Sequence, residues 1–165
     1  MKKLHTFLFL MLFSTSMFSQ AETPYSSVTA KRLKVINKTQ CPQYFVVLGY
    51  DTCKCNDSDA YQSDLISIAP NTQTYYDYHN LGGTFPIGNN EKGIVLTRIV
   101  SHPKEKPCFS GGTIGQPCSS EPSKIKYVAN DANCKPCPSE NIYTIAEWIP
   151  AQTCEDDAIL LFTNP

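Results

Sequence analysis

Histidine is the scarcest catalytic side chain here, with 3 among 165 residues, and His5, His79 and His102 stand far apart. No H-E-x-x-H pair and no G-x-S-x-G elbow accompanies them, so the signatures of zinc proteases and α/β-hydrolases are missing. No glycine-rich loop leads into a helix to cradle phosphate. Long charge runs are absent too. Lys and Arg number 14 against 15 Asp and Glu, a formal net charge of −1, which recommends neither a nucleic acid nor an anionic membrane as partner. After residue 21 no apolar run approaches the roughly 20 residues of a membrane span. No repeat or biased linker divides the chain. These absences leave no catalytic residue to name, and neither a cofactor nor a metal is expected.

What is present begins with an export signal. Met1-Lys2-Lys3 is a positive start, "LHTFLFLMLF" a short apolar middle, and Ser19 and Ala21 a small-residue exit before Glu22. Together they read as a secretory signal over residues 1–21. The first cysteine, Cys41, lies too far downstream to carry a lipid at the new N-terminus. The lysine-led start resembles bacterial signals. Residues 22–165 then form a single domain in the periplasm or outside the cell, long enough to bury about 68–70% of its unfolded surface.

Export governs how the cysteines are read. All 8 lie beyond the signal: Cys41, Cys53, Cys55, Cys108, Cys118, Cys134, Cys137 and Cys154. An even number in an oxidising compartment reads as a disulfide framework, although eight cysteines allow about a hundred pairings. Cys53 and Cys55 would close a strained ring, so each is expected to reach a different partner. Cys108 with Cys118 is the favoured pair, because it would staple the proline-rich loop between them.

Cys134-Lys135-Pro136-Cys137 carries the alternative, a thiol–disulfide exchange pair. Such a pair needs a helix N-terminus on a βαβ scaffold to stabilise the thiolate. Here "NDAN" reads as a turn, and no aromatic precedes the motif. Zinc held by Cys53, Cys55, Cys134 and Cys137 would need a C-x-C arm shorter than zinc knuckles use. Asp51, Asp57, Asp59 and Asp64 crowd one stretch without the glycine or terminal glutamate of a calcium loop, and read as a solvated turn.

The periodicities are those of strands. In "RLKVINK", Leu33 and Val35 point one way while Lys34 and Lys38 point the other. "YFVVLGY" is continuously apolar, as in a strand covered on both sides. "DLISIAPNTQTYYDYH" reads as a hairpin turning at Pro70-Asn71, and "GIVLTRIV", "KIKYV" and "AILLFT" are further strands. Asn141–Ile149 fits either a strand or a short helix capped by Ser139; strand is adopted. Residues 79–93 and 101–123 read as long loops. The sum predicts an all-β fold, an antiparallel β-sandwich of about seven or eight short strands.

For binding, the aromatics are the better hint. Tyr75, Tyr76 and Tyr78 alternate on one strand, with Tyr76 and Tyr78 on one face and Tyr75 on the other, and exposed tyrosines make amphipathic platforms for glycans or proteins. Tyr143 and Trp148 add a second group. Asn37-Lys38-Thr39 and Asn56-Asp57-Ser58 are sequons that matter only in a glycosylating host. The run "VINKTQCPQYFVVLGYDTC…SDLISIAPNTQTYYDY" resembles small, uncharacterised exported bacterial β-sandwich proteins, over the first half of the mature chain. The resemblance implies a disulfide-bearing β domain and carries no functional residue. The function expected is non-enzymatic recognition of an unidentified protein or glycan, or a structural role. The alternatives are thiol exchange at Cys134 and Cys137, and an inhibitor presenting the Cys108–Cys118 loop.

Overall fold

The structure, a computed structural model, describes residues 28–51, 61–86, 92–100, 111–130 and 143–165. These form ten strands: β1 (Arg32–Asn37), β2 (Gln43–Asp51), β3 (Tyr61–Gln62), β4 (Ile66–Ile68), β5 (Thr72–Tyr76), β6 (Lys92–Val100), β7 (Thr113–Gly115), β8 (Lys124–Tyr127), β9 (Thr144–Ile149) and β10 (Asp157–Thr163). One sheet runs β5-β1-β10-β9-β8. The other runs β3-β2-β6-β7, with β4 also paired to β2. Among the described residues the helical content is one 3-10 turn, Pro117–Ser119, and no helix is long and apolar enough to cross a membrane.

Period-2 alternation builds the core. Leu33 and Val35 on β1, Leu160 and Phe162 on β10, and Ala146 and Trp148 on β9 are buried from the first sheet, facing Phe45, Val47, Ile94, Ile99 and Ile114 of the second. Phe45 touches Phe162 across the layers, ring centroids 6.1 Å apart. Each such side chain contributes about 1.5–3 kcal/mol by leaving water. The result is a sandwich-like pair of sheets around one core.

The chain changes sheets at tight places. Ala30 bridges Ile94 with two backbone bonds of 2.8 Å, and Lys31 N–H then donates to Asp156 O at 3.1 Å, carrying the chain into the first sheet. Position 93 must be glycine for this: a Cβ there would fall 1.7 Å from Thr29 Oγ1. The return corner lies between β4 and β5, where Asn71 takes φ 53°. Asn37, itself 1% exposed, holds that corner. Its Nδ2 donates to the carbonyls of Cys41 (2.7 Å), Ala69 (3.1 Å) and Ile68 (3.3 Å), and its Oδ1 accepts from Thr39 N–H and Oγ1. The network runs on through Gln43 Nε2 to Thr39 Oγ1 at 2.9 Å, and Tyr127 donates its hydroxyl to Gln43 Oε1.

Several expectations are corrected. The β4–β5 segment is not a hairpin, since β4 pairs with β2 and β5 with β1 in the other sheet. The sheets are not wholly antiparallel, since β1 runs parallel to β10. The strands exceed seven or eight because short β3 and β7 carry too few residues for a visible period. Residues 101–123 are not one long loop, since β7 pairs with β6 inside that span. The Asn141–Ile149 ambiguity resolves as a strand over Thr144–Ile149.

Tyr127 supplies a pH test. Burial pushes its pKa well above the ordinary tyrosine value of 10.0. Its folded-state pKa therefore exceeds its unfolded one, so the stability it contributes is full below about pH 10 and is lost as pH rises beyond. Urea unfolding is expected to show stability falling above about pH 10, with a shallower fall in Tyr127→Phe. Equal slopes in both proteins would contradict the assignment.

Candidate functional site

Tyr75 turns to solvent and is 45% exposed. It sits opposite Lys34 in the β1–β5 ladder, which brings Lys34 Nζ to 5.5 Å and Arg32 Cζ to 5.4 Å from its ring centroid. Arg32 also grips Asp157, Nε to Oδ1 at 2.8 Å and Nη2 to Oδ2 at 3.0 Å. Those hydrogen bonds, then the charge of Asp157, raise its pKa. Tyr76 faces inward and meets Phe45 edge-on at 5.8 Å; burial pushes its hydroxyl pKa up, and a hydrogen bond with Thr74 offsets part of that. Tyr78 packs on the core margin and stacks against His79 at 3.8 Å. The three tyrosines thus divide between two faces, and Tyr75 alone presents its ring outward.

The solvent side of the β5-β1-β10-β9-β8 sheet is where Tyr75 belongs. On β10, Ile159 and Leu161 alternate with the buried Ala158, Leu160 and Phe162 and stay half-exposed. Ile145 and Ile149 do the same on β9, as does Ile36 on β1. Register brings them together: Ile36 lies beside Leu161, and Ile159 beside Ile149. Cations stand on both sides of this aliphatic floor. Arg32 and Lys34 project from β1, while Lys124 and Lys126 project from β8. The far edge mirrors the near one, since Tyr143, 43% exposed, has Lys126 Nζ 4.1 Å from its ring centroid. Neither Lys34 nor Lys126 forms an ion pair among the described residues. Lys124 approaches Glu147 at 3.4 Å.

Other candidates offer less. A hollow of about 440 Å³ is lined in part by Pro117, Ser120, Glu121, Trp148 and Pro150, but Trp148 is 1% exposed and shows a ligand almost no ring. Gln116, beside it, is fully buried. Its Oε1 accepts from Trp148 Nε1 (3.1 Å) and Ala151 N–H (3.0 Å), while Nε2 donates to Val28 O (3.1 Å) and Ala151 O (3.3 Å). Asn37 and Thr39 of the first sequon are both buried and bonded to each other, so a glycan cannot be seated there in the folded chain.

Cys41 is buried between β1 and β2, Cys118 lies in the 3-10 turn, and Cys154 lies in the turn before β10; none is a free thiol. Cys118 Sγ lies 3.6 Å from Val28 O. Cys53, Cys55, Cys108, Cys134 and Cys137 lie outside the described residues, as do the C-x-x-C motif, the Cys108 end of the favoured pair, Asp57, Asp59, His102 and the signal segment. No group of three metal-ligating side chains occurs among the described residues.

The floor residues Ile36, Ile145, Ile149, Ile159 and Leu161 escaped the sequence reading. "AILLFT" shows Ile159 and Leu161 only as part of an apolar run, and the pairing register is what places them on one surface with Ile36, Ile145 and Ile149. Comparison with family models, with curated proteins and with solved structures finds no match to this chain.

Gln116→Leu is expected to strand the Trp148 and Ala151 donors and lower stability by about 2–4 kcal/mol. Urea unfolding monitored by Trp148 fluorescence reads this. An unchanged midpoint would show that the amide is not what joins these segments.

Proposed function

We propose that this chain is an exported, disulfide-stapled recognition domain that works by surface contact and not by chemistry. One observation carries the reading: an aliphatic floor edged by tyrosine-backed cations on the solvent side of a rigid sheet. Strand faces turned to water ordinarily alternate to polar residues, and contiguous exposed apolar patches mark contact sites. Export and the staple support one another. None of Cys41, Cys118 and Cys154 is a free thiol, as a staple requires, and disulfide bonds belong to oxidising compartments. Cys108 with Cys118 remains the pairing we favour. The contact surface moves from the tyrosine strand alone to the whole β5-β1-β10-β9-β8 face, of which Tyr75 is one edge.

A photo-crosslinking residue at position 159, and separately at 75, is expected to give one discrete adduct of the same size in cells that express the protein naturally. The same residue at the exposed position 98 on the other sheet is expected to give none. Adducts at 98 alone, or none at 75 and 159, would refute the reading.

A further inference from the structure

The outer face has a direction and a charge that narrow its partner, granted that it is a recognition surface at all. The floor lies over the β10–β9 seam, where Ile159, Leu161, Ile145 and Ile149 project. Its cations stand on the strands to either side, Arg32 and Lys34 on β1 and Lys124 and Lys126 on β8. β1 and β8 are three strand spacings apart, about 14 Å. An α-helix with its side chains is about 10–12 Å across. One helix laid along the strands fills that width, its apolar stripe on the aliphatics and its two flanks against the cations.

Charge selects among occupants. Arg32, Lys34, Lys38, Lys124 and Lys126 share this surface with Glu147 and Asp157, and Asp77 lies close enough to act on Arg32, a surplus of two positive charges on a chain whose formal net charge is −1. A second copy would bring the same surplus against it, with like charges opposed.

We infer that the β5-β1-β10-β9-β8 face docks an acidic amphipathic helix of a partner protein, apolar along one stripe and carboxylate-bearing on both flanks. Lys34 and Lys126 are the cations aimed at those flanks, each held by a tyrosine.

The test uses the full mature chain and three labelled peptides of about 18 residues: one with a leucine stripe and glutamate flanks, one with lysine replacing each glutamate, and one with the glutamate sequence scrambled. Fluorescence anisotropy is expected to show the glutamate helix binding at least about tenfold tighter than either other peptide, and weakening with added salt. Lys34→Glu/Lys126→Glu, with folding checked by circular dichroism, should erase that advantage, while Ile159→Glu should abolish binding. No preference for the glutamate helix over the lysine helix would overturn the inference. So would flotation with phosphatidylglycerol vesicles that Lys34→Glu/Lys126→Glu abolishes, which would assign the face to a membrane. A dimer in sedimentation that Ile159→Glu dissolves would assign it to a second copy. Adducts at 75 and 159 without a peptide preference would leave recognition standing and remove the helix; failure of both would remove both.

Discussion

Six paired positions between β1 and β10, Arg32 with Asp157 through Asn37 with Phe162, set what both sides of the first sheet present. Side chains alternate strictly along a strand, so a slip of one residue would turn Leu33 and Val35 to water and drive Lys34 into the core. Keeping the core therefore also fixes the outer row. Ile159 must lie beside Lys34, and Leu161 beside Ile36. The proposed contact face is the obverse of the hydrophobic core, and it inherits the core's rigidity. The spacing of its cations is set by the same register.

Polar groups buried at the ends of the sandwich keep that register from drifting. The Asn37 amide ties the end of β1 to the corner by which the chain leaves β4, and Tyr127 and Gln43 extend the tie to β8 and β2. At the other end the Gln116 amide joins the segment before β1, the chain after β9, and Trp148. A buried donor or acceptor left without a partner costs about 1–3 kcal/mol, so these amides penalise alternative arrangements more than they add to net stability. They act as alignment pins between two sheets whose apolar faces alone would tolerate sliding. Thr97 Oγ1, buried without a partner, has no physical account in this scheme.

The strand content was largely legible because β1, β6, β8, β9 and β10 each show apolar residues at period 2 or in a short apolar run bounded by turn residues. The topology was hidden. Pro70-Asn71 carries the chemistry of a tight turn whether the chain folds back on its own strand or crosses to the opposite sheet, and only the two ladders distinguish these. Nothing local marks β1 and β10 as parallel neighbours, since they meet across more than a hundred residues. The candidate site was half legible. Tyr75 and the outward lysines of "RLKVINK" stand out by alternation, but Ile159 and Leu161 vanish into an apolar run that reads simply as a strand.

That apolar run points to the most direct test, because a strand apolar on both faces either is covered by its own chain or is covered by a partner. The double variant Ile159→Thr/Leu161→Thr keeps strand propensity and removes only the outer aliphatics. Urea unfolding of this protein, run beside a titration with the glutamate-flanked helix, separates the cases. The account predicts a loss of no more than about 1–2 kcal/mol together with loss of peptide binding. A loss of about 4 kcal/mol or more, with peptide binding intact wherever the protein remains folded, would show that these side chains serve the fold and would contradict a docking face.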